Sequence, residues 1–121
     1  MSATEAPDSA VDVVRAVFAA YLAQDRPAME RLLADDFVFT SPQDDHLGKD
    51  AFLTRCFPTA DRFRAYALLD TVPAGGAGEV FVRYAYELTS GGHHRNVEVL
   101  TVRDGRIAET QVYFGGSFPP G

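Results

Sequence analysis

From Arg62 onward the chain is composed almost entirely of strand-forming residues. The segments "RFRAYALLDTV" (62–72), "EVFVRYAYELT" (79–89), "RNVEVLTV" (95–102) and "RIAETQVYF" (106–114) are rich in β-branched and aromatic side chains, which pack well on a pleated, half-buried surface. Between them lie "PAGGAG", "SGGHH" and "RDGR". The Asp104-Gly105 pair is the sharpest of these turn signals, because a two-residue hairpin loop needs positive φ values that Asp and Gly accept. Four long strands joined by hairpins predict an antiparallel meander, and such a sheet must bury one face against another layer.

The covering layer has to come from the first half. A helix is expected from Asp8 or Ser9 to about Gln24, with a capping-type residue at its start and Val11, Val14, Phe18, Tyr21 and Leu22 on one stripe. Asp25 and Pro27 restart a second helix, whose apolar face is Met29, Leu32 and Leu33. "FVFT" (37–40) reads as a strand that ends at Ser41 and Pro42, since proline cannot donate to a continuing ladder. A loop holding Asp44, Asp45 and His46 follows. A third helix is expected over 49–57, where Phe52 faces Cys56 and Leu53 faces Phe57, with Pro58 stopping it. Three helices of the N-terminal half on one face of a curved antiparallel sheet make an α+β cone, open at one end, with room for a ligand cavity.

Size and charge narrow the partners. At 121 residues the chain is expected to be one domain, 1–121, with its core at about 9–116 and flexible ends. The formal charge of −6 is spread along the sequence, with no basic stripe to neutralise phosphates, so neither nucleic acid nor an anionic membrane is an expected partner. The N-terminus is acidic with no apolar core segment, and no apolar run nears the roughly 20 residues of a membrane span, so no signal or anchor is expected. A single cysteine, Cys56, excludes an intramolecular disulfide and fits a reducing compartment; the cytoplasm is the expectation. Nine Phe and five Tyr are enough to line a pocket as well as fill a core.

The order of elements, with "LLADDFVFTSP" before the third helix and "VRDGRIAETQVYFG" at the end, resembles the SnoaL-like family of the nuclear transport factor 2 and ketosteroid isomerase-like superfamily, over about residues 11–116. The resemblance implies a cystatin-like α+β barrel, a homodimer, and a cavity that binds a small apolar molecule without a cofactor. Relatives include isomerases, polyketide cyclases, epoxide hydrolases and noncatalytic binding domains, so function must be argued from the site. Ketosteroid isomerases keep a general-base Asp immediately before a proline at the end of the first strand; here that place is Ser41 before Pro42, and a serine hydroxyl does not replace a carboxylate without activation. Glu98 falls near the place where those isomerases carry a protonated Asp that stabilises an oxyanion. The Asp-Arg-Asp arrangement of the epoxide hydrolases is not evident, although Arg83 is a candidate to meet a carboxylate.

The residues themselves give several candidates. Alternation puts Asn96, Glu98, Leu100 and Val102 on one face of their strand; if that face is inward, Glu98 is a carboxyl among apolar groups and burial raises its pKa. Tyr84 and Tyr86 alternate with Val80, Val82 and Leu88, giving two inward phenols. For Asp44, Asp45 and His46 two readings stand: a solvated loop capping its own backbone, or an Asp-His pair that makes His46 a base near neutral pH. If the stretch is extended, Asp44 and His46 share a side; if it turns, Asp45 points inward. Adjacent carboxylates and an imidazole lack the spacing of a metal site, so no metal is expected. His93 and His94 follow two glycines at a hairpin and are expected to be exposed, and Cys56 to pack rather than react. The expected function is acid/base chemistry on an apolar carbonyl- or hydroxyl-bearing compound by an isomerase, cyclase or hydrolase, with Asp45, His46 and Glu98 transferring protons and Tyr21, Ser41, Tyr84, Asn96 and Phe114 contacting the substrate. The alternative is a noncatalytic ligand-binding or accessory domain of the same fold.

Overall fold

A computed structural model describes residues 9–74 and 78–119; Asp8 and the middle of the "PAGGAG" turn lie outside them. The first helix, α1 (Ala10–Ala23), starts where Ser9 Oγ accepts the Asp12 amide at 3.1 Å, and ends where Gln24 turns left-handed at φ 55°. Val13, Val14, Phe18 and Ala20 are buried, with Val11, Val17 and Tyr21 packed beside them. The expected stripe is thus rotated toward Val13, and Leu22, at its far edge, is left 42% exposed.

In α2 (Arg26–Leu32) Asp25 caps the Ala28 amide at 3.2 Å. Leu33 does not close this helix; its extended backbone opens β1 (Leu33–Ser41) instead, well before "FVFT". The reason is tertiary: Leu33 pairs with Ile107, and both are fully buried. The expected loop also contains a short strand, β2 (Asp44–Gly48), which folds back on β1 with Phe39 opposite Leu47 and Ser41 opposite Asp44. Helix α3 (Lys49–Arg55) is shorter than the pattern implied, because Pro58 sits inside a following 3-10 turn, Phe57–Arg62.

The meander follows as β3 (Phe63–Ala74), β4 (Glu79–Leu88), β5 (His93–Arg103) and β6 (Arg106–Phe118). Asp104 and Gly105 take φ 54° and 76°, as a two-residue hairpin requires. The sheet has the order β2-β1-β6-β5-β4-β3. It curves without closing, so β2 and β3 are free edges. One pairing departs from the antiparallel expectation: β1 runs parallel to β6. The helical crossover through α3 carries the chain from β1 to the opposite edge of the meander, and the last strand returns beside the first in the same direction.

Packing divides the space between α1 and the sheet. Toward the start of β4, Val80, Val82, Leu100 and Ile107 close against Val13, Val14 and Leu33 to form a buried core. Toward its end, valines give way to tyrosines and the space stays open. No helix among the described residues is long and apolar enough to cross a membrane.

Candidate active site

The open end is a cavity of about 540 Å³, within the size range of small-molecule sites. Helix α1 contributes Phe18 and Tyr21, β1 contributes Phe37, Phe39 and Ser41, and the sheet contributes Tyr66, Tyr84, Tyr86, Asn96 and Glu98. These last five are together because side chains alternate along strands and the registers align them: Tyr84 stands opposite Asn96, and Tyr66 opposite Tyr86.

Among the described residues two carboxyls line the cavity, Asp44 on β2 and Glu98 on the meander wall; Glu98 is the more deeply placed. Its accessible surface is intermediate and it lines the cavity, with protein packed around the rest of it. Burial lifts its pKa from 4.5 to about 7, and the opposing pull of a hydrogen bond from Tyr84 is too weak to hold it down. That bond, from Tyr84 Oη to Glu98 Oε2, is 2.7 Å long. Among the described residues no donor meets Oε1, which is the free oxygen of the pair. The phenols of Tyr84 and Tyr66 are both held well above their ordinary range, first by burial and then by the Glu98 charge. They remain protonated donors throughout the physiological range.

Tyr21 reaches the cavity from α1 and bonds Thr59 Oγ1 at 2.7 Å. The Thr59 hydroxyl gives its own proton to the Cys56 carbonyl, also at 2.7 Å, so Tyr21 is the donor. Burial raises the Tyr21 pKa. Ser41 lines the wall, but its Oγ accepts the Gln43 amide at 3.1 Å in the tight β1–β2 turn. Phe114 forms part of the rim and is 47% exposed.

Asp45 and His46 do not line the cavity. They pair as the sequence suggested, Oδ1 to Nδ1 at 2.6 Å, but with side chains 84% and 70% exposed. With Asp44 facing in, alternation puts Asp45 outside; His46, at φ 54° where the β1–β2 register shifts, breaks the alternation and stays outside with it. Asp44 is the member that faces in. Its carboxylate, 15% exposed, meets Arg55 at 3.0 Å and accepts weakly from the Cys56 thiol at 3.9 Å. Cys56 is pushed up to about 11 by burial and by Asp44. It is therefore a protonated thiol, not a nucleophile. Arg83 binds Asp70 at 2.7 Å on the outer face of the sheet.

The wall also holds residues that were not among the sequence candidates, His94, Tyr66 and Thr59 among them. His94 lines the cavity and stacks on Tyr86, with centroids 5.2 Å apart and planes at 15°; its phase with Asn96 and Glu98 was the available signal, overruled by its place beside two glycines. Tyr66 stacks on Tyr84 at 5.2 Å, and Thr59 lies in a turn that gave no periodicity. Among the described residues no three of His, Cys, Asp and Glu converge as metal ligands.

Comparison with known proteins fits this geometry. A family model described as a SnoaL-like domain matches residues 14–110. Comparison with curated proteins gives no significant match. Among solved structures, a Kribbella flavida protein is similar at 28% identity and TM-score 0.77, covering 88% of this chain and 86% of that one. An LEH-like epoxide hydrolase of M. tuberculosis is similar at 21% identity and TM-score 0.69, covering 87% and 81%. A proposed polyketide cyclase of Streptomyces antibioticus is similar at 19% identity and TM-score 0.70, covering 88% and 91%. Likenesses this distant establish the fold, which is that of the NTF2-like proteins.

Proposed function

Because the chain belongs to the SnoaL-like domain family, we propose that it is a cofactor-independent cavity enzyme acting by acid/base chemistry on an apolar compound bearing a carbonyl or hydroxyl. The observation that carries this reading is Glu98: a cavity-lining carboxyl tuned to about 7, with one oxygen held by Tyr84 and the other met by no donor among the described residues. A base with a pKa near ambient pH combines availability with driving force for proton transfer. Glu98 Oε1 takes a proton from the ligand, Tyr84 holds the other carboxylate oxygen, and Tyr21, Asn96 and Phe114 shape the pocket that holds the ligand. Of the isomerase, cyclase and hydrolase classes, the structural likeness to a proposed cyclase and an epoxide hydrolase supports the latter two.

The test is proton exchange at carbon. 1-Tetralone, an apolar aromatic ketone, is incubated in D₂O and followed by NMR. Wild-type protein is expected to speed deuterium uptake at the α-carbon, and Glu98→Gln to reduce that acceleration at least 100-fold while still binding the ketone. Equal rates in the two proteins would remove Glu98 from the chemistry.

A second reading, a noncatalytic ligand-binding or accessory domain, is favoured by Ser41. The place where isomerase relatives keep their base holds a hydroxyl engaged with the Gln43 amide. Binding of 1-tetralone without any exchange is the outcome that selects it.

We also propose a homodimer through the outer face of the sheet. Val72, Phe81 and Tyr113 are 53%, 42% and 55% exposed there. Phe81 lies opposite both Val72 and Val99, which makes a contiguous apolar patch suited to isologous pairing.

A further inference from the structure

Hydrogen-bond direction inside the cavity is fixed by one backbone amide. The Gly115 N–H reaches the Asn96 side chain at 3.4 Å. An N–H can only donate, so it meets Oδ1, and the orientation of the Asn96 amide follows. Glycine is what permits this approach: a Cβ at residue 115 would sit 2.3 Å from the Arg95 carbonyl oxygen, where the β5–β6 register shifts between His94 and Asn96.

The Asn96 Nδ2 consequently faces two phenol oxygens, Tyr84 at 3.2 Å and Tyr86 at 3.4 Å. It has two protons, one for each. Both tyrosines accept from Asn96, so each must send its own single hydroxyl proton elsewhere. That of Tyr84 goes to Glu98. Among the described residues no acceptor meets that of Tyr86, which lies on the cavity wall. The Tyr86 ring is braced by His94 at 5.2 Å and Tyr66 at 6.1 Å, both nearly parallel to it.

We propose that Tyr86 donates the hydrogen bond that holds an acceptor oxygen of the bound molecule, and that Asn96 and Gly115 are positioning residues that fix its direction. Tyr84, committed to the ionised Glu98, tunes the carboxylate and does not hold the ligand. The ligand class is therefore one whose carbonyl oxygen lies nearer the β4–β5 turn than the atom that meets Glu98. This rests on the cavity being a ligand site, as proposed above.

Two measurements at pH 8, where Glu98 is mostly ionised, test it. In the ligand-free protein, NMR of tyrosine labelled at the ring carbon bearing the hydroxyl reads proton exchange at each phenol. Exchange is expected to be at least tenfold faster at Tyr86 than at Tyr84. Equal protection at Tyr86 would show that a protein acceptor already holds its proton, and would overturn the proposal alone. In the complex with 1-tetralone, the carbonyl stretch is expected to shift to lower frequency in wild type and in Tyr84→Phe. In Tyr86→Phe it returns toward its value in hydrocarbon solvent, with affinity about tenfold weaker. A shift that persists in Tyr86→Phe overturns the proposal; failure of the wild type to bind, with Tyr86 unprotected, overturns the ligand-binding reading beneath it.

Discussion

At the scale of single residues, Glu98 shows how position decides chemistry. The same side chain at residue 97 or 99 would face the outer surface; at 98, alternation turns it into an apolar enclosure where its neutral form is favoured. Its folded pKa, about 7, lies above the ordinary 4.5, so the folded state holds the proton more tightly than the unfolded chain. Below pH 4.5 this preference is fully in the fold's favour, and it is lost as pH rises through 7. The loss is on the order of 3 kcal/mol. Urea denaturation between pH 4.5 and 8 is expected to show this decline in wild type, with Glu98→Gln losing that component of the slope. Cys56 offers a second check. A thiol at about 11 is expected to react with iodoacetamide at pH 8 roughly 100-fold more slowly than a free cysteine, as read by mass spectrometry.

Strand alternation made Glu98, Asn96, Tyr84 and Tyr86 legible in the sequence, since period two needs only the strand's existence to assign a face. Asp45 and His46 were not legible in the same way. A single positive φ keeps the His46 ring outside with Asp45, and no local pattern announces that dihedral in a non-glycine residue.

At the scale of elements, the meander was readable almost to its boundaries because its strands are long, patterned and bounded by glycine-rich turns. The first half was harder. "DDHLG" has little strand propensity and is a strand only by pairing with β1, and Leu33 leaves its helix because β6 offers a buried partner. Tertiary pairing overrode local preference in both places. One side chain joins these irregular pieces: Lys49, at the head of α3, donates to the carbonyls of Glu30 at 2.8 Å and Leu33 at 3.0 Å, the last turn of α2 and the first residue of β1. Charge-assisted bonds from a largely covered ammonium are worth more than a surface ion pair. Lys49→Met is expected to lower stability by about 2 kcal/mol in chemical denaturation, with little change at the cavity.

For the whole molecule, the two faces of the sheet divide the work. The inner face carries core and cavity in sequence along each strand, valines giving way to tyrosines. The outer face carries the apolar patch around Phe81. Sedimentation analysis is expected to find a dimer for wild type and a monomer for Phe81→Asp, since a buried unpaired carboxylate in an isologous interface is introduced twice. A monomeric wild type would remove the dimer proposal without touching the cavity. The cavity stands or falls on its buried carboxyl, and the most direct test needs no ligand: carbon-13 NMR titration of the Glu98 side-chain carboxyl in the folded protein. A midpoint near pH 7 is the expected result. A midpoint near 4.5, that of a solvated glutamate, would contradict it.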